Sequence, residues 1–148
     1  MNKKFLVLAT VLLIIVMTGC SIPEVKVEVS SSIEFYSPVM SSVPGLPINV
    51  NVEVSINEPY DISIEMKTDN GTILEWGSDM KVNDMGQSVI YHDGTRYWSP
   101  FDEELGIAQS AEIEVKVTVK GTGFKTIVRQ NIHISKNSDD MYILDPGD

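Results

Sequence analysis

The sequence predicts an all-β protein, an antiparallel β-sandwich of about eight short strands that follows a cleaved N-terminal signal. Three observations carry this. Long stretches alternate apolar and polar residues with a period of two, the spacing of a strand with one buried face and one wet face. Residues 48–56 and 113–119 are the clearest of them. Turn residues punctuate the chain at intervals of about 8–12 residues. After the first twenty residues no stretch keeps a helical period, and no repeat or low-complexity tract occurs.

The first twenty residues are not part of that fold. Asn2, Lys3 and Lys4 form a basic start. A 13-residue apolar run from Phe5 to Met17, interrupted only by Thr10, follows and ends in Thr18-Gly19-Cys20. A membrane-spanning helix needs about 20 apolar residues, so this layout reads as a secretory signal with a cleavage site. Met17-Thr18-Gly19-Cys20 resembles the lipobox of bacterial lipoproteins, with Met17 where leucine is usual. The resemblance implies that residues 1–19 are removed and that Cys20 is lipidated. It makes the membrane a partner through that lipid, and the location extracytoplasmic, on the cell surface or in the periplasm. Residues 20–24 are then a short tether.

Removing the signal leaves 129 residues, enough for one domain with its own core. The full chain carries a net charge of −10, and the signal takes two lysines with it, so the mature charge is −12. Such a surface repels nucleic acid. With 43% hydrophobic residues, many of them β-branched, the composition is not that of a disordered chain. Cys20 is the single cysteine, so no disulfide braces the domain and the core must hold it unaided.

The sandwich is expected over residues 25–136. Val25, Val27 and Val29 alternate with Lys26, Glu28 and Ser30. Residues 33–36 are a second short candidate, and the prolines of 37–47 make a loop. In 48–56, Ile48, Val50, Val52, Val54 and Ile56 share one face. Ile62, Ile64 and Met66 follow the Asn57-Glu58-Pro59 turn. A three-residue Asp69-Asn70-Gly71 loop with a left-handed Gly71 would pair Met66 with Leu74 and Ile64 with Trp76, so that all four face the core. A two-residue loop would expose Leu74 and Trp76. Residues 77–87 read as a loop with room for one short strand. Residues 88–91 and 95–98 flank Asp93-Gly94, a hairpin signal. Residues 99–107 are a loop. Ile113, Val115, Val117 and Val119 form the second long strand. It turns at Gly121-Thr122-Gly123, with Val119 expected opposite Phe124 and Val115 opposite Val128. Residues 137–148 are a C-terminal tail in which 141–144 either packs or frays. The order and length of these elements resemble an immunoglobulin-like or fibronectin-type-III-like domain.

Little in the chain points to catalysis or to a cofactor. There are two histidines, His92 beside a hairpin tip and His133 on an outward strand position. No serine stands in a glycine-flanked elbow that would make a nucleophile of it. Asp102-Glu103-Glu104 and Asp139-Asp140 lack the spaced ligands of a dedicated calcium loop, so no metal and no cofactor is expected. The most suggestive group is aromatic: Tyr91, Tyr97, Trp98 and Phe101. Adjacent strand residues point to opposite faces. Trp98, at the strand end, is expected in the core, and Tyr97 at the surface, where a hydroxyl tolerates water. Tyr97 and Tyr91 are therefore the first candidate contacts for a protein or carbohydrate partner, and Trp98 is the candidate if the facing is reversed. The function expected is a lipid-anchored, non-catalytic binding or adhesion module. The alternative is a structural accessory subunit of an envelope complex that docks through a sheet edge.

Overall fold

A computed structural model describes residues 22–103 and 106–145. Cys20 and the signal lie outside them. In chain order the strands are β1 (Val25–Ser30), β2 (Leu46–Val54), β3 (Tyr60–Thr68), β4 (Thr72–Trp76), β5 (Val82–Asp84), β6 (Ser88–Tyr91), β7 (Arg96–Ser99), β8 (Phe101–Asp102), β9 (Gly106–Ile107), β10 (Ser110–Gly121), β11 (Phe124–Lys136) and β12 (Tyr142–Asp145). Two five-stranded antiparallel sheets, ordered β1-β2-β7-β4-β5 and β12-β11-β10-β3-β6, pack as a sandwich; β8 and β9 form a small separate ribbon. The strands exceed the eight expected because β5, β8 and β9 are only two or three residues long, too short to show a period.

Period-two alternation places the core. Val115, Val117 and Val119 of β10 are fully buried, and Ile64 and Met66 of β3 lie beside them in register. Leu46 and Ile48 of β2 and Ile73 of β4 close the core from the other sheet. The edges are looser, and Val52 and Val128, expected in the core, are half-buried. The β10–β11 hairpin keeps the expected facing but shifts its register by two residues: Val119 pairs with Thr126, Val117 with Val128 and Val115 with Gln130. A shift of two leaves every side chain on its own face. Gly121 pairs with Phe124, so the turn is only Thr122-Gly123, and Gly123 takes the positive φ such a tight turn needs.

Two expected hairpins are instead crossings between the sheets. β3 pairs with β10 and β6, whereas β4 pairs with β7 and β5. Residues 69–71 therefore carry the chain from one sheet to the other. Gly71 is left-handed, φ 72°, as expected, but for a different purpose. A Cβ there would strike the Ser99 carbonyl and approach Trp98 Nε1 to 2.8 Å. The crossing inverts the predicted facing of β4. Ile73 points into the core, while Leu74 and Trp76 point to the outside of their sheet. Residues 92–95 make the second crossing, from β6 to β7.

The expected strand at 33–36 is a single bridge between Tyr36 and Tyr142. That bridge explains the third departure, in the C-terminal stretch. Residues 142–145 do not fray but form the edge strand β12, and Tyr142 is a core residue. Its ring meets Trp98 edge-on at 5.2 Å and Tyr36 at 6.4 Å, and its hydroxyl donates to the Ala108 carbonyl at 2.7 Å. The unbroken apolar run from Met141 to Leu144 carries no period of two, so only its partners reveal that Tyr142 is inside.

The facing yields a direct test. Ile113→Ala should cost about 2–5 kcal/mol in chemical denaturation, because Ile113 is fully buried. Glu53→Gln, on the wet face of β2, should cost less than about 0.5 kcal/mol. Equal losses at the two positions would show the facing to be wrong.

Candidate functional site

The four residues of β7, Arg96-Tyr97-Trp98-Ser99, divide between the two faces of their sheet. Trp98 is 0% exposed, opposite Leu46 on one side and Ile73 on the other. Its indole N–H donates to the Asn70 carbonyl at 2.8 Å. Tyr97 points the other way and is half-buried. Tyr97 lies opposite Pro47 and Leu74, and meets Trp76 edge-on with centroids 5.8 Å apart. Trp76 in turn stands opposite Val82 on β5.

Trp76, Tyr97 and Val82 thus form an apolar, aromatic patch on the outer face of the sheet, with Pro47 and Leu74 on the same face but buried. Val82 is 46% exposed. The turn after Trp76 extends the patch with Met80, 73% exposed at φ 62°. A left-handed methionine is uncommon, costing roughly 1–2 kcal/mol relative to a right-handed conformation. The turn is held by Gly77 N–H donating to the Lys81 carbonyl at 2.9 Å and Met80 N–H to that of Gly77 at 3.0 Å. The Thr72 hydroxyl donates to the Asp84 carboxylate and ties β4 to β5 on the same face as the patch.

Sequence reasoning missed Trp76 as a member of this surface. Its facing was inferred from a β3–β4 hairpin that does not exist. Nothing local distinguishes a hairpin from a crossing at Asp69-Asn70-Gly71, because both need the same left-handed glycine.

Tyr91, a candidate contact, is only 4% exposed. It sits on β6 of the opposite sheet, so its ring faces β7 across the core. Arg96 is carried inward there because it shares the parity of Trp98. The Arg96 guanidinium lies 4.3 Å from the centre of the Tyr91 ring. It pairs with Glu75 at 3.1 Å and donates to the Thr95 carbonyl at 3.2 Å. A desolvated contact of this kind is worth on the order of 2 kcal/mol. Burial pushes the Tyr91 hydroxyl up to about 12, against the opposing pull of the Arg96 charge. The Tyr91 hydroxyl and Arg96 Nε are buried and have no hydrogen-bond partner among the described residues. Parity alone could have found Arg96: if Trp98 is inward, the residue two before it is inward too.

Phe101, the fourth aromatic, is half exposed on β8. His92 Nδ1 lies 2.7 Å from the Ile62 carbonyl, which can only accept, so Nδ1 carries the proton. His133 faces outward on β11. No group of three His, Cys, Asp or Glu residues is placed to hold a metal among the described residues.

The outer face of the other sheet is charged. Lys116 Nζ donates to Glu65 at 2.7 Å, and Lys67 Nζ lies 2.8 Å from its other oxygen. These two hydrogen bonds hold the Glu65 carboxyl down from its ordinary 4.5 to about 2.

Two measurements follow. Tyr91→Phe should leave stability unchanged or raise it, since removing an unpaired buried hydroxyl loses no bond. A loss above about 1 kcal/mol would reveal a hydroxyl partner. Because Glu65 is depressed in the folded protein, its contribution to stability is complete above about pH 4.5 and disappears as pH falls towards 2. The stability difference between wild type and Glu65→Gln, followed by urea denaturation, should shrink across that window; a constant difference would exclude the ion pairs as its source.

Comparison with protein families, with curated proteins and with solved structures finds no match to this chain.

Proposed function

We propose that the protein is a lipid-anchored, non-catalytic binding module outside the cytoplasmic membrane, and that the outer face of β4, β5 and β7 is its contact surface. The observation that carries this reading is the Tyr97–Trp76 pair: two aromatic rings on the wet side of a sheet, flanked by exposed Val82 and Met80. Rigid aromatic side chains give large contact area at low entropic cost and are enriched at recognition sites. Such a surface suits a protein segment or a sugar face. Tyr97 is the residue retained from the aromatic group as a contact, because Tyr91 and Trp98 are interior.

The anchor rests on Met17-Thr18-Gly19-Cys20. Register places the start of β1 at one end of the sandwich, beside Val54 of β2. The loop between β1 and β2 is at the opposite end and exposes Phe35, Val39 (93%) and Met40. With Cys20 in the membrane, that loop points away from it.

The strand order supports the immunoglobulin-like reading. Taking β1, β2, β3, β4, β7, β10 and β11 as seven successive strands, the sheets run first-second-fifth-fourth and third-sixth-seventh, which is the constant-type order. β5, β6 and β12 extend its edges. Fold of this kind does not choose a ligand.

A second reading, an accessory subunit that docks through a sheet edge, is favoured by one observation. β11 is 13 residues long, yet β12 covers only His133 to Lys136 of its outer side.

A photo-crosslinking residue placed at position 97 in the native membrane, compared with one at Ile90 on the other sheet, tests the contact surface. A discrete adduct at 97 and none at 90 is the expected result. Equal labelling at both sites removes the aromatic patch as the contact. In the same membranes, Cys20→Ser should abolish the lipid mass on the mature N-terminus; an unmodified Cys20 thiol in the wild type would overturn the anchor.

A further inference from the structure

We infer that the uncovered edge of β11 accepts an acidic, extended segment of a partner protein as an added β-strand. This deepens the edge-docking reading and is independent of the aromatic surface. β10 occupies one side of β11 over its whole length. On the other side β12 pairs only with His133 to Lys136. Between Phe124 and Arg129 the far side of β11 has no strand partner among the described residues. β1 of the other sheet passes near β11 without pairing to it. A stretch of that length presents a row of backbone donors and acceptors suited to strand addition.

Charge selects the occupant. On a protein whose mature charge is −12, the charged outward residues towards the turn of this hairpin are cationic, with Glu112 and Glu114 farther from the turn. Lys120 stands directly opposite Lys125, and Lys116 opposite Arg129. Like charges directly opposite one another in a sheet are destabilising. Lys116 is relieved by Glu65. Lys120 has Asp61 opposite it on β3, but neither Lys120, Lys125 nor Arg129 forms an ion pair among the described residues. An added strand would bring alternate side chains to about 4.5–5.5 Å from Lys125, Ile127 and Arg129. Acids opposite Lys125 and Arg129 would supply the missing counter-charge. On the inner side the same strand would meet half-buried Phe124, Thr126 and Val128, so its other residues are apolar.

A second copy pairing through its own β11 does not fit. No acid stands among the outward residues Lys125, Ile127, Arg129, Asn131 and His133, so no register supplies a counter-charge. A flat anionic membrane fits less well than a strand, because Asp61, Glu65 and Glu114 share this face with the cations.

Two end-blocked nine-residue peptides, one alternating Val with Glu and one alternating Val with Lys, are titrated into the full lipidated protein in neutral detergent. Affinity is read at low and high salt, together with amide hydrogen exchange. The expected result is that the Glu peptide binds at least about tenfold more tightly than the Lys peptide, the gain two reversed cross-strand charge pairs can supply. Its binding should weaken with salt and slow exchange within residues 124–129. Lys125→Glu/Arg129→Glu, on exposed positions, should fold normally and prefer the Lys peptide. The inference is overturned by absence of binding, by equal affinity for the two peptides, by protection on another strand, or by a double variant with unchanged preference. Capture of phosphatidylglycerol vesicles through the same cations without peptide binding would assign the edge to lipid and overturn it as well. None of these outcomes bears on crosslinking at position 97.

Discussion

The interaction the rest of the structure depends on is the seating of Trp98. Its ring is fully buried, and its backbone lies between β2 and β4 at the middle of one sheet. Its N–H reaches the Asn70 carbonyl in the chain crossing between the sheets, and its ring meets Tyr142 of the opposite sheet. One side chain therefore joins both sheets, the crossing loop and the last strand. Truncating a buried tryptophan costs about 3–5 kcal/mol, against a total stability of roughly 5–15 kcal/mol for a domain. With no disulfide available to the domain, that is a large share of what keeps it folded.

The same seating decides what the protein shows to the outside. With Trp98 inward, strand geometry sends Tyr97 outward and Arg96 inward. The inward arginine is a desolvated charge, and it is accommodated by the Tyr91 ring and by Glu75 at the rim. The outward tyrosine finds Trp76, which is outside because residues 69–71 cross between sheets. Four residues of one strand thus contribute a core anchor, a buried cation and a surface aromatic. The aromatic surface is rigid for that reason: the strand that displays it is pinned from behind.

The two candidate surfaces differ in chemistry and sit on different sheets. The outer face of β4, β5 and β7 is apolar and aromatic, whereas the β10–β11 hairpin is cationic along an unpaired edge. The methionine at the tip of the β4–β5 turn occupies a backbone conformation that glycine or asparagine would take at lower cost. The facing of Lys120 and Lys125 across β10 and β11 is another local cost. Departures of this kind from local preference, in a chain whose strands otherwise follow their patterns, draw attention to these two surfaces.

By itself the sequence determined the β class and the facing of the long strands. Val115, Val117, Ile64 and Trp98 are inside because an alternating pattern has one way to bury itself, and a register error of two residues in the β10–β11 hairpin left that facing intact. Tertiary structure alone decided which strands are neighbours. Asp69-Asn70-Gly71 and the Asp93-Gly94 turn fit a hairpin as well as a sheet crossing, and only packing against the opposite sheet separates the two. That choice placed Trp76 and Leu74 outside, Tyr91 inside, and β12 at an edge. The surface pairing of Tyr97 with Trp76 and the open side of β11 both follow from strand neighbours. Neighbour identity depends on contacts far apart in the chain, to which a period-two pattern is blind.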